Sequence, residues 1–119
     1  IGDDYLVTNA QKITNSASQG ICNAALIKVN QAGTVSEALN ALEAAKKAGW
    51  GTIISARSGE TEDVTLTHLA VGFNAGQLKV GSFSRSERMA KWNEGLRIAD
   101  QMGAAVNYIG RNALSRKIG

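Results

Sequence analysis

Proline is absent from all 119 residues, and cysteine and histidine occur once each, as Cys22 and His68. A lone cysteine excludes an internal disulfide and any cysteine-rich zinc pattern, which fits a reducing, cytoplasmic compartment. His68 falls in the middle of a helical pattern and reads as a helix-surface residue. Without a histidine near a strand end, neither a Ser-His-Asp device nor a Cys/His nucleophile pair can be assembled. Aromatics are few, two each of Trp, Tyr and Phe, and the 13 basic residues are scattered among 10 acids for a net charge of +3. That distribution lacks the basic stripe with interleaved aromatics that nucleic-acid binding uses. No apolar run approaches the roughly 18 residues of a membrane span. No Gly-x-Gly-x-x-Gly or Walker-type loop is present, which argues against a nucleotide-binding doubly wound domain. The opening Ile1-Gly2-Asp3-Asp4 has no initiating methionine and no basic or apolar leader, so it reads as mid-chain sequence with something upstream expected. The missing proline has no functional reading.

What is present describes a globular domain, or a piece of one, with 44% hydrophobic and 19% charged residues and 13 glycines. Short apolar runs alternate with helical patterns. Ile1–Asp3 reads as the tail of a strand, followed by a helix from Ala10 to Gln19 capped by Thr8 or Asn9 and closed by Gly20. Ala24–Val29 is a continuous apolar run with Lys28 near its end, the pattern of a strand buried on both faces. Thr34 and Glu37 fit a capping box, and Val35, Leu39 and Leu42 mark the inner face of the helix that Gly49 ends. Thr52–Ser55 is the next strand, and the acids Glu60, Glu62 and Asp63 precede a helix lined by Leu66, Leu69, Ala70 and Phe73. A last strand, Gln77–Val80, contains Lys79. Ser84 and Glu87 offer a second capping box, opening a helix in which Met89, Trp92, Leu96 and Ala99 share a side. Residues 103–119 read as a loop-like tail. Four consecutive βα units imply an α/β fold with parallel strands, either half of an eight-fold barrel or a small open sheet.

In such a fold the carboxyl ends of the strands gather on one rim. Each strand delivers a polar group there: Asp3 after the first, Lys28 at the end of the second, Arg57 and Ser58 after the third, Lys79 closing the fourth. Taken singly, an acid placed like Asp3 is more often a turn or cap residue, with Asp4 competing for any metal role, and Arg57 and Ser58 are ordinary loop residues. A lysine in a strand buried on both faces is harder to account for, since its ammonium must be desolvated or must snorkel. Together, three cations and a carboxylate suit an anionic substrate held with a divalent metal, and a desolvated lysine suits general-base work beside a carboxylate.

The segments Gly2-Asp3-Asp4-Tyr5-Leu6-Val7-Thr8-Asn9, Leu26-Ile27-Lys28-Val29-Asn30-Gln31-Ala32-Gly33-Thr34, Ser58-Gly59-Glu60-Thr61-Glu62-Asp63, Gly76-Gln77-Leu78-Lys79 and Ser84-Arg85-Ser86-Glu87-Arg88 resemble the enolase family, in order and over nearly the whole chain. The resemblance implies the C-terminal half of an enolase-type (β/α)8 barrel, from a magnesium-dependent, cytoplasmic and homodimeric glycolytic enzyme that dehydrates 2-phosphoglycerate reversibly to phosphoenolpyruvate. It implies Asp3 as a Mg2+ carboxylate, Lys28 as the base that removes the proton α to the substrate carboxylate, Arg57 and Ser58 as phosphate ligands, and Lys79 as the second lysine, on the substrate carboxylate. Two departures stand out. Ala56 occupies the place of a family histidine, and the amino-terminal domain and first half of the barrel, with the other metal carboxylates and the catalytic glutamates, lie outside these residues. The chain alone is therefore expected to be inactive and to dock onto a complementary half or belong to a larger polypeptide. A non-catalytic enolase-like subunit or binding module is the alternative, and a superfamily member acting on an unphosphorylated acid is a third reading that Arg57 and Ser58 disfavour.

Overall fold

The structure, a computed structural model, describes residues 1–114. Its centre is a parallel sheet of three strands in sequence order: β1 (Ala24–Ile27), β2 (Gly51–Ser55) and β3 (Gly76–Lys79). Parallel neighbours require a crossover, and helices supply each one. α2 (Val29–Ala32) and α3 (Val35–Lys47) connect β1 to β2, and α4 (Thr65–Gly72) connects β2 to β3. α1 (Ala10–Ser18) precedes β1, and α5 (Ser86–Met102) follows β3. Where the sequence leads one to expect a first strand at Ile1–Asp3, a single parallel bridge joins Gly2 to Ala25. Gly2 donates to Ala24 O at 2.8 Å and accepts from Leu26 N at 2.9 Å, so it continues the sheet by one rung. The expected count of four βα units is thus represented among the described residues by three strands and this bridge.

The core lies between the sheet and its helices. Ala25, Ile27 and Ile54 pack with Leu6, Ile13, Ala38, Ala41, Leu42 and Ala45, all buried. Three alanines on the inner face of α3 let that helix sit close to the strands, while Ile27, Ile54 and Leu42 fill the space between. The start of α3 forms as its sequence dictates: the Thr34 hydroxyl accepts from Glu37 N at 3.1 Å. The Glu37 carboxylate closes on the Thr34 hydroxyl, at 2.9 Å, and not on its backbone amide. Asn9 caps α1 by accepting from Lys12 N at 2.9 Å.

Several local expectations are corrected. The capping box at Ser84 is not formed: α5 begins with Arg85 at φ 74° and no side-chain cap, because the Ser84 hydroxyl pairs with Ser82, which in turn accepts from Arg88. The inward residues of α5 are Lys91 and Ile98, while Leu96 is 70% exposed, so the helix is rotated from the face expected of it. The face expected of α4 is kept, with Ala70 buried and Leu66 and Phe73 packed against the core, and Thr67 is buried beside them. β1 stops at Ile27 rather than Val29, since the Lys28 amide donates to the Thr8 hydroxyl at 3.0 Å instead of continuing the ladder. Within the stretch expected as loop, Gly103–Ala105 and Gly110–Ala113 form short 3-10 turns, and its last residues, 115–119, lie outside the described residues.

Candidate active-site rim

The register of the sheet decides what meets at its carboxyl edge. Ile27 pairs with Ile54 and Ile54 with Leu78; one residue on, Ser55 pairs with Lys79. Ser55 and Lys79 occupy one rung, and Lys28, which has left the ladder with its backbone still extended, stands one residue past β1 beside it. The two-residue pleat puts them on the face opposite Ile27, Ile54 and Leu78, whose side chains pack toward the helices. Just beyond the rung, Ala56 N donates to Lys79 O at 2.9 Å, which fastens the start of the loop carrying Arg57 and Ser58 to the end of β3.

Asp3 reaches the same edge from the bridge segment. Its Oδ1 accepts from Lys28 Nζ at 2.5 Å, and Lys28 as a residue is only 7% exposed. The ammonium is desolvated with its counter-ion in place, which is how a buried charge is tolerated. The desolvation expected of strand lysines thus applies to Lys28 but not to Lys79, which lies exposed at the end of an edge strand. The immediate charged neighbour of the Lys28 ammonium is an acid, not another cation.

A second layer, which the sequence does not reveal, holds Lys28. The Thr8 hydroxyl, buried, accepts from Lys28 N and donates to Gln31 Oε1 at 2.8 Å, and Gln31 Nε2 reaches Asp4 Oδ1 at 3.4 Å. Thr8 has φ 52°, a left-handed conformation that a β-branched residue adopts only under tertiary constraint. The one signal in the sequence is a pair of polar residues, Thr8 and Asn9, competing for one cap; Asn9 takes the cap, which leaves Thr8 for Lys28.

Arg57 and Ser58 are exposed on the loop after β2. Among the described residues neither the Arg57 guanidinium nor the Lys79 ammonium has an ion-pair partner, so both cations face open space at the edge. The Arg57 backbone amide donates to Glu60 Oε1 at 2.8 Å. Further along the loop, Asp63 Oδ1 accepts from Thr65 N at 2.8 Å and caps α4. That bond to the Thr65 backbone, then one to its side chain, holds the Asp63 carboxyl below its ordinary value against a small opposing effect of desolvation. His68 is on the exposed side of α4 and pairs with Glu94 of α5 at 2.9 Å. Glu94 is held below its ordinary value mainly by Arg97, at 3.0 Å, with His68 contributing.

Magnesium asks for several oxygen ligands in octahedral array. Among the described residues there is no cluster of three acidic, histidine or cysteine side chains, and Asp3 is already engaged by Lys28. These residues do not by themselves fit a magnesium site; they bring one carboxylate, with Asp4 beside it, to an edge where other ligands would have to come from elsewhere. No helix among the described residues is long and apolar enough to cross a membrane. Compared with known protein families, residues 1–117 match the model described as enolase, C-terminal TIM barrel domain.

Proposed function

The chain belongs to the enolase family, as part of its C-terminal TIM-barrel domain, and from that premise we propose that it supplies one wall of a lyase active site that converts 2-phosphoglycerate to phosphoenolpyruvate. The observation that carries the reading is the gathering of charged groups at the carboxyl ends of the strands: Lys28 one residue past β1 with Asp3 on its ammonium, Lys79 at the end of β3, and the Arg57–Ser58 pair just after β2. A phosphorylated hydroxy acid carries two anionic groups, and this edge offers separate cations for them. In the proposed assignment the Arg57 guanidinium and Ser58 hydroxyl hold the phosphate, and the Lys79 ammonium faces the carboxylate. The Lys28 amine takes the proton from the carbon between phosphate ester and carboxylate. The charge left on that carbon spreads into the carboxylate, where Lys79 stabilises it; its return forms the carbon–carbon double bond and expels the neighbouring hydroxyl, which leaves as water on taking a proton from an acid of the rest of the barrel. For Lys28 to accept a proton, its ion pair with Asp3 must first open. Magnesium, when bound in the complete site, would supply further charge stabilisation at the substrate carboxylate.

The proposal includes the rest of the barrel as partner, a homodimeric complete protein and a cytoplasmic setting. The test is a coupled assay of phosphoenolpyruvate formation by the full-length protein. Magnesium-dependent turnover that falls at least about a thousandfold in Lys28→Ala, with magnesium retained, supports Lys28 as the base. A second reading, a non-catalytic enolase-like module, is favoured by one observation: Ala56, buried between β2 and Arg57, places a methyl group where the resemblance implies a histidine. Turnover unaffected by Lys28→Ala, or absent from the parent protein, rejects the catalytic reading in favour of this one.

A further inference from the structure

The largest of the fully buried side chains is not at the rim. Lys91, in the sixth position of α5, has 0% exposure, yet it carries a charge that the sheet-edge chemistry does not use. Its three N–H groups face three acceptors: Thr61 O at 2.7 Å, Glu87 O at 3.0 Å and Glu60 Oε2 at 3.5 Å. Glu87 belongs to the same helix. Thr61 and Glu60 belong to the loop between β2 and α4, so the ammonium pins that loop to α5 across 30 residues of sequence. Glu60 uses its other oxygen to accept from the Arg57 backbone amide at 2.8 Å. A continuous path thus runs from Lys91 through the Glu60 carboxylate to the peptide unit that precedes Arg57. The far end of the same helix segment is fixed from below, where the Thr67 hydroxyl donates to Lys91 O at 3.3 Å.

We propose that Lys91 is a positioning residue for anion binding: through Glu60 it fixes the backbone at Arg57, and so sets where the exposed guanidinium and the Ser58 hydroxyl stand relative to Lys79. The inference rests on the reading of Arg57 and Ser58 as phosphate ligands, and the loop's exposure is what makes such a device necessary. The loop has no regular secondary structure between Ser55 and Thr65, and its attachments among the described residues are few: Ala56 N to Lys79 O at one end, the Asp63 cap at the other, and Lys91 with Glu60 between them. A buried ammonium with three protein acceptors gives a fixed reference point that an exposed lysine would not, because it has no water to exchange into.

The experiment uses the full-length protein with Lys91→Met, and with Glu60→Gln as the milder change that keeps the amide-accepting oxygen but removes the charge facing Lys91. Two measurements are made on each. Amide hydrogen exchange is expected to speed up at least tenfold at residues 57–63 while β1 and β2 stay protected; steady-state kinetics are expected to show KM for 2-phosphoglycerate raised about tenfold with kcat changed less than threefold. Unchanged exchange at residues 57–63 in both variants, or an increase spread evenly over the sheet, overturns the positioning role. Local loosening with an unchanged KM also overturns it, since the loop would then be fixed for stability alone. If the parent protein shows no turnover, phosphate-ester binding by the parent and by Arg57→Ala tests the underlying reading separately: equal binding sinks the assignment of Arg57, and with it this inference, whereas weaker binding in Arg57→Ala and in Glu60→Gln sustains it.

Discussion

Lys28 and Lys91 are both withdrawn from water, and their partners separate their roles. Lys28 has one acidic partner, at an edge whose other cations stand open, so its nitrogen is freed by moving a single carboxylate. Lys91 has two backbone carbonyls and a carboxylate, which no substrate displaces. In sequence the first is visible, because a lysine ending an apolar strand run is out of place, while the second is not, because a lysine in a helix of mixed polarity reads as solvated. The acids of the loop are legible in kind but not in the partners they choose. Asp63 caps α4 as its position before the helix implies, whereas Glu60 turns back to Arg57 N. Asp63 allows a pH prediction. Its folded value is depressed by the Thr65 bonds, so its contribution to the start of α4 is complete above the ordinary aspartate value and disappears as pH falls through the lower, folded one. Asp63→Asn keeps an oxygen for Thr65 N and cannot titrate. Amide protection at residues 65–67, followed from neutral to strongly acidic pH, should decline on acidification in the parent and stay flat in the variant; parallel curves would assign the decline to another group.

At the scale of elements, the rim depends on how accurately a one-rung bridge is placed. Gly2 is held to both Ala24 and Leu26, and a Cβ added there would stand 2.2 Å from Leu6 Cδ1 and 2.6 Å from its Cγ. Leu6 is fully buried and part of the core, so it has little room to turn away. Gly2→Ala is therefore expected to cost about 1–3 kcal/mol, as overpacking does, and to shift Asp3 away from Lys28. A fall in thermal midpoint together with loss of the Asp3–Lys28 contact in a crystal structure of the variant checks both parts; an unchanged midpoint would show that Leu6 yields. The strands themselves are readable in sequence because β1 and β2 are short, continuous and apolar. Their exact ends are not, because a side chain from outside the sheet, Thr8, takes the Lys28 amide. The facing of α5 escapes the sequence for a related reason: the apolar stripe through Trp92 and Leu96 is a periodicity signal, but the buried stripe is the one through Lys91 and Ile98.

At the scale of the whole molecule, that rotated stripe matters for what the chain can do by itself. Parallel sheets are normally covered on both faces. Here the helices pack against the face of Ala25, Ile27 and Ile54, while by the pleat Ala24, Leu26 and Ile53 point to the other, where they too are buried. Large apolar side chains stand free away from the sheet: Phe83 is 77% exposed, Leu96 70% and Tyr108 92%. A three-stranded parallel sheet presents open edges, and an edge with unpaired backbone groups templates pairing with another chain. The 119 residues expressed alone are accordingly expected to associate, with an apparent mass by light scattering that rises with concentration, and to form a discrete species when the preceding half of the barrel is co-expressed as a separate polypeptide. The second part follows from the first only if the association is through the sheet. Lysines substituted at the exposed Phe83 and Leu96 should then leave both self-association and capture of the missing half in place. A concentration-independent monomer would show the edges to be closed already, and association abolished by those two substitutions would place the contact on the outer apolar residues and leave the sheet edges without a part in assembly.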